Sequence, residues 1–325
     1  MYFDVKSHSI RFTGRWSVTG KSAITTAPGS VIEIACSGKM IVLHFDLSTN
    51  QAPMPHLWIS IDQGAKVEVP LDRYLHIEVS QDGPHFVQII FKSAVEMQHR
   101  WYEPLVGKVT FVGFEADSQE ELPEDNRKII EFIGDSITEG VLIDAHFDPG
   151  KLDQPNRVYQ DDATATYAWL TAEELGMKPV IMGYGAVGMT KSGQGAVPAV
   201  GMAYPYCYNN VPCDGFKSDI IVINHGTNDM YADEQHYVSA YMDFLHMIRD
   251  RNSSALIVVL SPFCGVFDKT LREFVAQYNQ ENDEKIVFIS SEGWISRSPI
   301  HPNRDSHMIV AKNLAKSLRQ ILSDI

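Results

Sequence analysis

The sequence predicts an α/β protein in two parts, a β-sandwich followed by a domain with a five-stranded parallel sheet. From about residue 8 to 115, short β-type runs such as 41–45 and 86–91 alternate with turn signals such as Asp82-Gly83-Pro84. Many short strands at this spacing, without a long helical pattern, favour a β-sandwich of the jelly-roll kind. After about residue 128, apolar runs alternate with helical patterns, which is typical of a parallel sheet with helices on both faces.

The same patterns predict where each part begins and ends. We expect the sandwich over residues 1–116, an acidic connector over 117–127 and the α/β domain over 128–325. Apolar runs predict buried strands at residues 129–133, 180–182, 220–223, 256–260 and 286–289. Helical periodicity predicts helices at residues 163–175, 234–249, 271–279 and about 304–322.

The composition excludes several classes of protein. Of the 325 residues, 44% are hydrophobic and 21% are charged, as in globular proteins rather than disordered chains. A net charge of −14 repels phosphate backbones, so we expect no nucleic-acid partner. No apolar run approaches the roughly 20 residues that span a bilayer, and no signal-peptide pattern is visible. We therefore expect no membrane partner and a cytoplasmic location, while the oligomeric state stays open.

The four cysteines do not have metal-ligand spacing, and we predict no metal and no organic cofactor. Cys207 and Cys213 are either a disulfide or two free thiols, and a reducing cytoplasm favours free thiols.

Four candidate catalytic residues each follow a predicted strand of the parallel sheet. Ser136 follows the first strand and Gly188 the second; Asn228 follows the third, and His301 lies beyond the fifth, before the last helix. Because the carboxyl ends of parallel strands meet at one edge of a sheet, these loops are expected to come together.

These groups are the ones that acyl transfer needs. A serine hydroxyl becomes a strong nucleophile when a base within hydrogen-bond reach takes its proton, and His301 is the candidate base for Ser136. The Ser136 N–H, the Gly188 N–H and the Asn228 side-chain amide are candidate donors to the oxyanion of the tetrahedral intermediate. Each short motif alone is a common turn or helix cap, so the prediction depends on their occurrence together.

Four motifs resemble, in order, the four sequence blocks of the SGNH (GDSL) hydrolase family: Gly-Asp-Ser-Ile-Thr-Glu-Gly at 134–140, Gly-Ala-Val-Gly at 185–188, Gly-Thr-Asn-Asp at 226–229 and His-Pro-Asn at 301–303. The resemblance covers roughly residues 128–325 and implies a flavodoxin-like three-layer α/β/α fold. It also implies that Ser136 is the nucleophile, that Gly188 and Asn228 bind the oxyanion, and that His301 is the base.

The first part of the chain resembles the N-terminal jelly roll of carbohydrate esterase family two. The resemblance rests on three short stretches: Phe-Thr-Gly-Arg-Trp at 12–16, Ala-Pro-Gly-Ser at 27–30, and the stretch from Phe91-Lys92 to Glu96. Members of that family are acetyl xylan esterase-like deacetylases, in which the β-domain precedes the SGNH domain.

One departure from the family pattern concerns the catalytic acid. The family motif has an aspartate three residues before the histidine, but Ser298 stands at that place. The acid of a triad orients the imidazole and stabilises the imidazolium. The resemblance includes members that work as Ser–His dyads with a main-chain carbonyl on the histidine. We therefore predict a dyad, assisted either by Glu292 or by Ser298.

Four further residues are candidates for substrate binding. Asp135 and His225 lie in or beside the catalytic motifs, although their positions favour structural hydrogen bonds over a direct role. Tyr204 and Tyr206 lie in an irregular segment at 189–218, and long loops are often functional. Aromatic faces stack on sugar rings, while a packed lid or subunit contact is the alternative for this segment.

The sequence therefore predicts a serine esterase that removes short acyl groups, above all acetyl, from a sugar or oligosaccharide. A lipase-like, lysophospholipase or thioester hydrolase is the alternative that keeps the chemistry and changes the substrate. The non-catalytic alternative is a saccharide-binding relic that has lost the catalytic acid.

Overall fold

A computed structural model describes residues 1–144, 157–283 and 285–323 of the protein. The first part of the chain is a sandwich of two antiparallel sheets. One sheet contains β1 (Tyr2–Asp4), β3 (Ser17–Val18), β4 (Ala23–Thr25), β6 (Met40–Phe45), β9 (Tyr74–Glu78) and β11 (Val109–Glu115). The other contains β2 (Ile10–Thr13), β5 (Val31–Ser37), β7 (His56–Ile61), β8 (Val67–Pro70), β10 (Pro84–Ser93) and β12 (Ser118–Gln119). The predicted β-sandwich is confirmed.

Alternation of side chains explains the sandwich core. In β6, Ile41, Leu43 and Phe45 are buried, while the residues between them face outward, as expected for a strand with one covered face. The short β12 lies inside the predicted connector and pairs antiparallel with the end of β5. The start of that segment is therefore part of the second sheet, and the domain boundaries stay predictions.

The second part has a five-stranded parallel sheet in the order β14-β13-β17-β18-β19. Its strands are β13 (Ile129–Gly134), β14 (Lys178–Gly183), β17 (Ile220–Asn224), β18 (Leu256–Leu260) and β19 (Val287–Ile289). In chain order this is 2-1-3-4-5, the flavodoxin-like arrangement, whose ligand crevice lies outside the carboxyl ends of the first and third strands. The predicted five-stranded sheet is confirmed, with β14 longer and β19 shorter than expected.

Helices cover both faces of this sheet. They are α1 (Ser136–Glu139), α2 (Arg157–Gln160), α3 (Tyr167–Leu175), α4 (Val200–Ala203), α5 (Glu234–Arg251), α6 (Asp268–Glu281) and α7 (Arg304–Ser323). Ile130 and Phe132 of β13 share an apolar cluster with α3 and α7, whereas Ile133 shares a cluster with α5 and α6. The predicted three-layer fold is confirmed. Among the described residues, no helix is long and apolar enough to cross a bilayer.

One predicted helix begins later than expected. Residues 163–175 were expected to form a single helix, but Ala163–Ala165 form a 3₁₀ turn and α3 begins at Tyr167. Thr166 between them has an extended backbone, with φ −73° and ψ 157°, and its hydroxyl accepts a hydrogen bond from the Trp169 N–H at 3.3 Å. A threonine N-cap therefore interrupts the helical pattern.

The two parts share buried contacts. Val31 and Ile90 of the sandwich belong to the same apolar cluster as Ile130 of β13. On the other side of the sheet, Arg15 Nη1 of the sandwich lies 3.3 Å from Glu131 Oε1 of β13, and both side chains are almost fully buried.

Candidate active site

Ser136 is positioned by a tight turn at the end of β13. The side chain of Asp135 accepts a hydrogen bond from the Ile137 N–H at 2.9 Å and so caps α1, which begins at Ser136 as expected for a strand-to-helix turn. Gly140 ends this helical turn with φ 90°, and a Cβ there would lie 2.4 Å from the Asp162 carbonyl oxygen. Only glycine fits this position without moving the backbone.

His301 lies in the loop between β19 and α7, and the structure brings it to Ser136. Its Nε2 is 2.9 Å from Ser136 Oγ. Burial lowers the pKa of the His301 imidazole below 6.5; the negative charge of Glu96 opposes this shift and the positive charge of Arg157 adds to it. The imidazole is therefore neutral near pH 7 and can accept a proton from the serine hydroxyl.

The two residues predicted to assist His301 lie elsewhere in its loop. Ser298 and Ser296 hydrogen-bond to each other through the Ser296 hydroxyl, and Glu292 lies 3.4 Å from Arg297 in an exposed ion pair. Within the described ranges, Ser136 Oγ is the hydrogen-bond partner of the His301 ring. The structure thus shows a serine–histidine pair, and no carboxylate among the described residues is hydrogen-bonded to the His301 imidazole.

Asn228 joins the loops that follow three strands. It lies on the 3₁₀ turn Thr227–Asp229 after β17, and its Nδ2 donates to the Val187 carbonyl at 3.0 Å and to Asp135 Oδ2 at 3.3 Å. The Gly188 N–H donates to the Lys191 carbonyl at 3.0 Å. Two of the three predicted oxyanion donors therefore have acceptors within the protein in this state. The Ser136 N–H is the first amide of α1, which has no acceptor inside its own helix.

Asp229 shapes the loop that carries Gly188. Its carboxylate accepts hydrogen bonds from the Met189 N–H at 2.9 Å, the Thr190 N–H at 2.9 Å and the Thr190 hydroxyl at 2.7 Å. A Cβ on Gly188 would lie 2.7 Å from both Asp229 carboxylate oxygens. The loop can approach the carboxylate this closely because residue 188 has no side chain.

Two of the predicted substrate-binding residues lie near the dyad but are buried. Burial, together with the nearby charge of Asp229, raises the pKa of Asp135 to about 7. His225 is 1% exposed at the end of β17, and burial lowers its pKa to about 4. Neither of its ring nitrogens has a hydrogen-bond partner in the described ranges. Both side chains are therefore buried behind the site and do not line an open surface.

The structure does not bring Tyr204 and Tyr206 to Ser136. The Tyr204 hydroxyl donates to Glu131 Oε2 at 3.2 Å and accepts from Asn252 Nδ2 at 3.0 Å. Asn252 precedes β18, so this hydroxyl lies toward the amino ends of the strands, at the opposite edge from Ser136. Tyr206 belongs to the hairpin β15 (Tyr206–Tyr208) and β16 (Val211–Pro212), and its carbonyl accepts from Arg15 Nη2 at 2.9 Å. This part of the 189–218 segment packs between the two halves of the protein because its polar groups pair with Arg15.

The same hairpin carries two of the four cysteines. All four cysteines are free thiols; Cys36, Cys207 and Cys213 are buried, and Cys264 is partly exposed.

A cluster of charged residues beneath the site was not predicted from the sequence. Arg100 makes a bidentate ion pair with Glu139 of α1, Arg157 Nη2 lies 2.9 Å from Glu96 Oε1, and Arg157 Nε lies 3.3 Å from Asp161 Oδ1. Arg157 and Asp161 are four residues apart, but the other two pairs join residues 39 and 61 positions apart, across the two halves of the protein. No short-range pattern signals such contacts.

The fold resembles that of known esterases. Residues 132–308 match the GDSL-like Lipase/Acylhydrolase family. An acetylxylan esterase / glucomannan deacetylase of Cellvibrio japonicus (strain Ueda107) is 25% identical over 338 residues, 96% of this chain and 89% of that protein. A solved family two carbohydrate esterase from Cellvibrio japonicus has a TM-score of 0.82 at 22% identity, covering 99% of this chain and 98% of that chain. An acetyl xylan esterase from the rumen bacterium Butyrivibrio proteoclasticus has a TM-score of 0.79 at 23% identity, covering 99% of both chains. These matches confirm the resemblances expected from the sequence motifs.

Proposed function

Because the chain belongs to the GDSL-like lipase/acylhydrolase family, we propose that it is a serine esterase that hydrolyses acetyl esters of a saccharide. One observation carries the proposal: His301 Nε2 lies 2.9 Å from Ser136 Oγ, within reach for proton transfer. Burial keeps this imidazole neutral near pH 7, so it is in the protonation state that a general base needs.

In the proposed acylation step, Ser136 Oγ attacks the ester carbonyl carbon while His301 Nε2 takes the hydroxyl proton. The carbonyl π electrons move onto oxygen and form the tetrahedral oxyanion. When this intermediate collapses, the C–O bond to the sugar breaks, and His301 gives its proton to the leaving sugar oxygen. The products are a free sugar hydroxyl and an acetyl ester on Ser136.

Deacylation repeats the cycle with water. His301 takes a proton from the attacking water, a second oxyanion forms, and its collapse releases acetate while Ser136 regains its proton. No further reactant is needed, because both proton transfers run through the same imidazole.

Ser136 N–H, Gly188 N–H and Asn228 Nδ2 are the proposed oxyanion donors. Catalytic hydrogen bonds are often long or poorly aligned before substrate binds and tighten only in the reacting complex. For Asn228, the longer bond, at 3.3 Å to Asp135, is the one that we expect the oxyanion to replace. Asp135 is a weakened acceptor because its raised pKa of about 7 leaves a substantial neutral fraction at pH 7.

A saccharide acetyl ester is the proposed substrate on two grounds. The similar proteins that cover nearly the whole chain are an acetylxylan esterase / glucomannan deacetylase and an acetyl xylan esterase. The β-sandwich that precedes the hydrolase fold is also present in those structures, since the alignments span both parts.

The test is acetate release from acetylated xylo-, gluco- and manno-oligosaccharides and from p-nitrophenyl acetate, with Ser136→Ala as the control. We expect the wild type to release acetate and the variant to release none above background. Equal release by both proteins, or by neither, would overturn the proposal.

A series of p-nitrophenyl esters separates this proposal from a lipase-like activity. We expect kcat/KM to be highest for acetate and to fall with butyrate and octanoate. Rising values with chain length would instead indicate a lipase-like enzyme, and binding of acetylated saccharide without any turnover would indicate a non-catalytic protein.

A further inference from the structure

We propose that the β-sandwich carries a second binding site, a groove for a neutral oligosaccharide that is separate from Ser136 and His301. The groove has a volume of about 790 Å³, and ligand-binding cavities typically enclose about 300–1,000 Å³. Its lining includes Arg11, Gln63, Phe86, Gln88, Asn126 and Arg127. No residue that lines it belongs to the loops that carry the proposed catalytic residues. The proposal goes beyond the proposed function and does not depend on it.

The floor of the groove is a row of side chains in register across one sheet of the sandwich. Arg11 of β2 lies opposite Glu33 of β5, Glu33 lies opposite Gln88 of β10, and Gln88 lies opposite Ser60 of β7. Directly opposed residues share a face of the sheet, and the alternate residues of β5 and β10 point into the sandwich core. Four neighbouring strands span about 14 Å, so the row can contact more than one pyranose ring.

A smaller cavity extends the groove toward the hydrolase fold. Its volume is about 240 Å³, and its lining includes Trp169 and Glu173 of α3. Gln63, Phe86 and Gln88 line both cavities, so the two are neighbours on one surface. The groove therefore runs from the connector at 117–127 across the sheet to α3.

Three amide side chains of the groove are free to bind a ligand. Gln63 and Asn126 are exposed and Gln88 is half-buried, and none of these amides makes a hydrogen bond to the described part of the chain. Each amide provides two donors and an acceptor, which match sugar hydroxyls that both donate and accept. Phe86 lies two residues before Gln88 on the same face of β10 and adds an aromatic surface for the C–H face of a pyranose ring.

Gln63 is presented by a turn whose backbone is strained. A hydrogen bond from the Gly64 N–H to the Ile61 carbonyl, at 2.8 Å, closes the turn, and the central residues Asp62 and Gln63 have φ 52° and 61°. Glycine and asparagine are the usual residues at such positive φ values. The Asp62 carboxylate fixes the turn, since it accepts the Phe86 N–H at 2.8 Å. Strained positions that the surrounding structure holds in place cluster at ligand-binding sites.

The charges of the groove are already paired, which favours a neutral ligand over an anion. Arg11 Nε lies 2.6 Å from Glu33 Oε2. Arg127 contacts both carboxylate oxygens of Asp125, at 2.9 Å and 2.8 Å. Neither guanidinium is therefore a free cation, and the exposed Glu124 in the same lining repels an anion.

The groove fits a saccharide better than a peptide strand. A peptide that binds as an added strand needs a free sheet edge. The groove instead lies on the face of β5 and β10, and each of these strands is already paired on both sides. Free amides, an aromatic ring and paired charges together define a site for an uncharged, hydroxyl-rich chain.

The test measures binding of sugars without acetyl groups, so that hydrolysis plays no part. Xylohexaose, cellohexaose and mannohexaose are titrated separately into the full-length protein by isothermal titration calorimetry. We expect at least one to bind, and Gln88→Ala to raise its Kd about five- to tenfold, as for one lost hydrogen bond. The matched control, Gln81→Ala, removes an exposed amide of the same sandwich outside the groove lining and should leave the Kd unchanged. No binding of any hexasaccharide, or equal Kd values in wild type and Gln88→Ala, would overturn the proposal.

Gln63→Gly is a second variant that is protected against a folding defect. Glycine adopts the positive φ of this turn without strain, so the variant should unfold at or above the wild-type temperature. Its Kd should nevertheless rise about five- to tenfold. An unchanged Kd in Gln63→Gly contradicts the proposal even if Gln88→Ala does not fold.

Side-chain amide NMR signals locate the bound sugar. The ¹⁵N–¹H signals of Gln63 and Gln88, assigned by their loss in the two variants, should shift when the hexasaccharide is added. Shifts confined to the loops of Ser136 and His301 would place the sugar in the active site and refute the groove. Hexagalacturonate, an anionic hexasaccharide, should bind about tenfold more weakly, and equal affinity would contradict the assignment of a neutral ligand.

These readouts separate the groove from the proposed esterase activity. Gln63→Gly and Gln88→Ala should keep the wild-type kcat/KM for p-nitrophenyl acetate, because this small ester needs only the active site. A protein that binds the hexasaccharide in the groove but releases no acetate refutes the proposed function alone. A protein that releases acetate and binds the hexasaccharide with the same Kd in all variants refutes the groove alone.

Discussion

The ion pair between Arg100 and Glu139 provides the sharpest test of how the β-sandwich supports the active site. The side chains are 0% and 2% exposed, and the guanidinium makes hydrogen bonds to both carboxylate oxygens. Glu139 lies three residues after Ser136 and also accepts the backbone N–H of Gly185. The pair therefore connects the helix that begins at Ser136 to the loop that carries Gly188.

Replacing Arg100 with leucine leaves Glu139 buried without its cation. Breaking one side of a buried pair destabilises a protein by about 3–5 kcal/mol, since the remaining charge can neither reach water nor find a new partner. We expect Arg100→Leu to lower the free energy of unfolding by that amount in urea titrations followed by tryptophan fluorescence. The double variant Arg100→Leu/Glu139→Gln should recover about 2 kcal/mol, because the amide keeps an acceptor for Gly185 and carries no charge.

The pH dependence of this loss identifies its cause. Burial already raises the pKa of Glu139, and Arg100 opposes that shift, so removing Arg100 raises the folded pKa further above the unfolded value of about 4.5. A folded pKa above the unfolded one gives stability that is full below pH 4.5 and is lost as pH rises through the folded pKa. The gap between wild type and Arg100→Leu should therefore be smaller at pH 5 than at pH 8. A loss below 1 kcal/mol, a gap independent of pH, or a double variant as unstable as the single one would refute this reasoning.

Three further predictions concern the catalytic groups. Asn228→Ala should lower kcat for p-nitrophenyl acetate by about 10²–10³-fold with little change in KM, and a change confined to KM would speak against an oxyanion role. Since burial lowers the pKa of His301, kcat/KM should rise with pH and level off with a midpoint below 6.5; a midpoint above 6.5 would contradict the assignment. Gly188→Ala places a methyl group 2.7 Å from the Asp229 oxygens, and it should slow the labelling of Ser136 by a fluorophosphonate by about 10²-fold. Gly201→Ala, where a Cβ meets no atom within 4 Å, is the matched control and should label at the wild-type rate.

The clustering of the four proposed catalytic residues could be predicted from the sequence because each follows a strand of one sheet. Ser136 and Asn228 follow neighbouring strands, and β13 pairs in parallel with β17, so the sheet itself brings their loops together. The position of His301 could be predicted from the rule that the loops after parallel strands lie at the same edge of the sheet. Hydrophobic periodicity and short motifs can be recognised from neighbouring residues, and they were sufficient to predict that these loops meet at one edge of the sheet.

Contacts between the two halves could not be predicted in the same way. Arg100 and Glu139, or Glu96 and Arg157, become neighbours only when the sandwich packs on the hydrolase fold, and neither pair belongs to a local pattern. Tyr204 illustrates the opposite error: an aromatic residue in an irregular segment suggested sugar binding, whereas its hydroxyl completes the buried group around Glu131.

The buried contact between Arg15 and Glu131 has a consequence for how such proteins can diversify. Glu131 lies on β13, an interior strand of the hydrolase sheet, and its paired cation comes from the sandwich, as does the cation of Glu139. A recombination event that exchanged the sandwich for an unrelated domain would remove the arginine that pairs with each of two interior carboxylates. The two halves are therefore coupled energetically, and loss of either arginine is expected to destabilise the hydrolase fold unless the matching glutamate also changes.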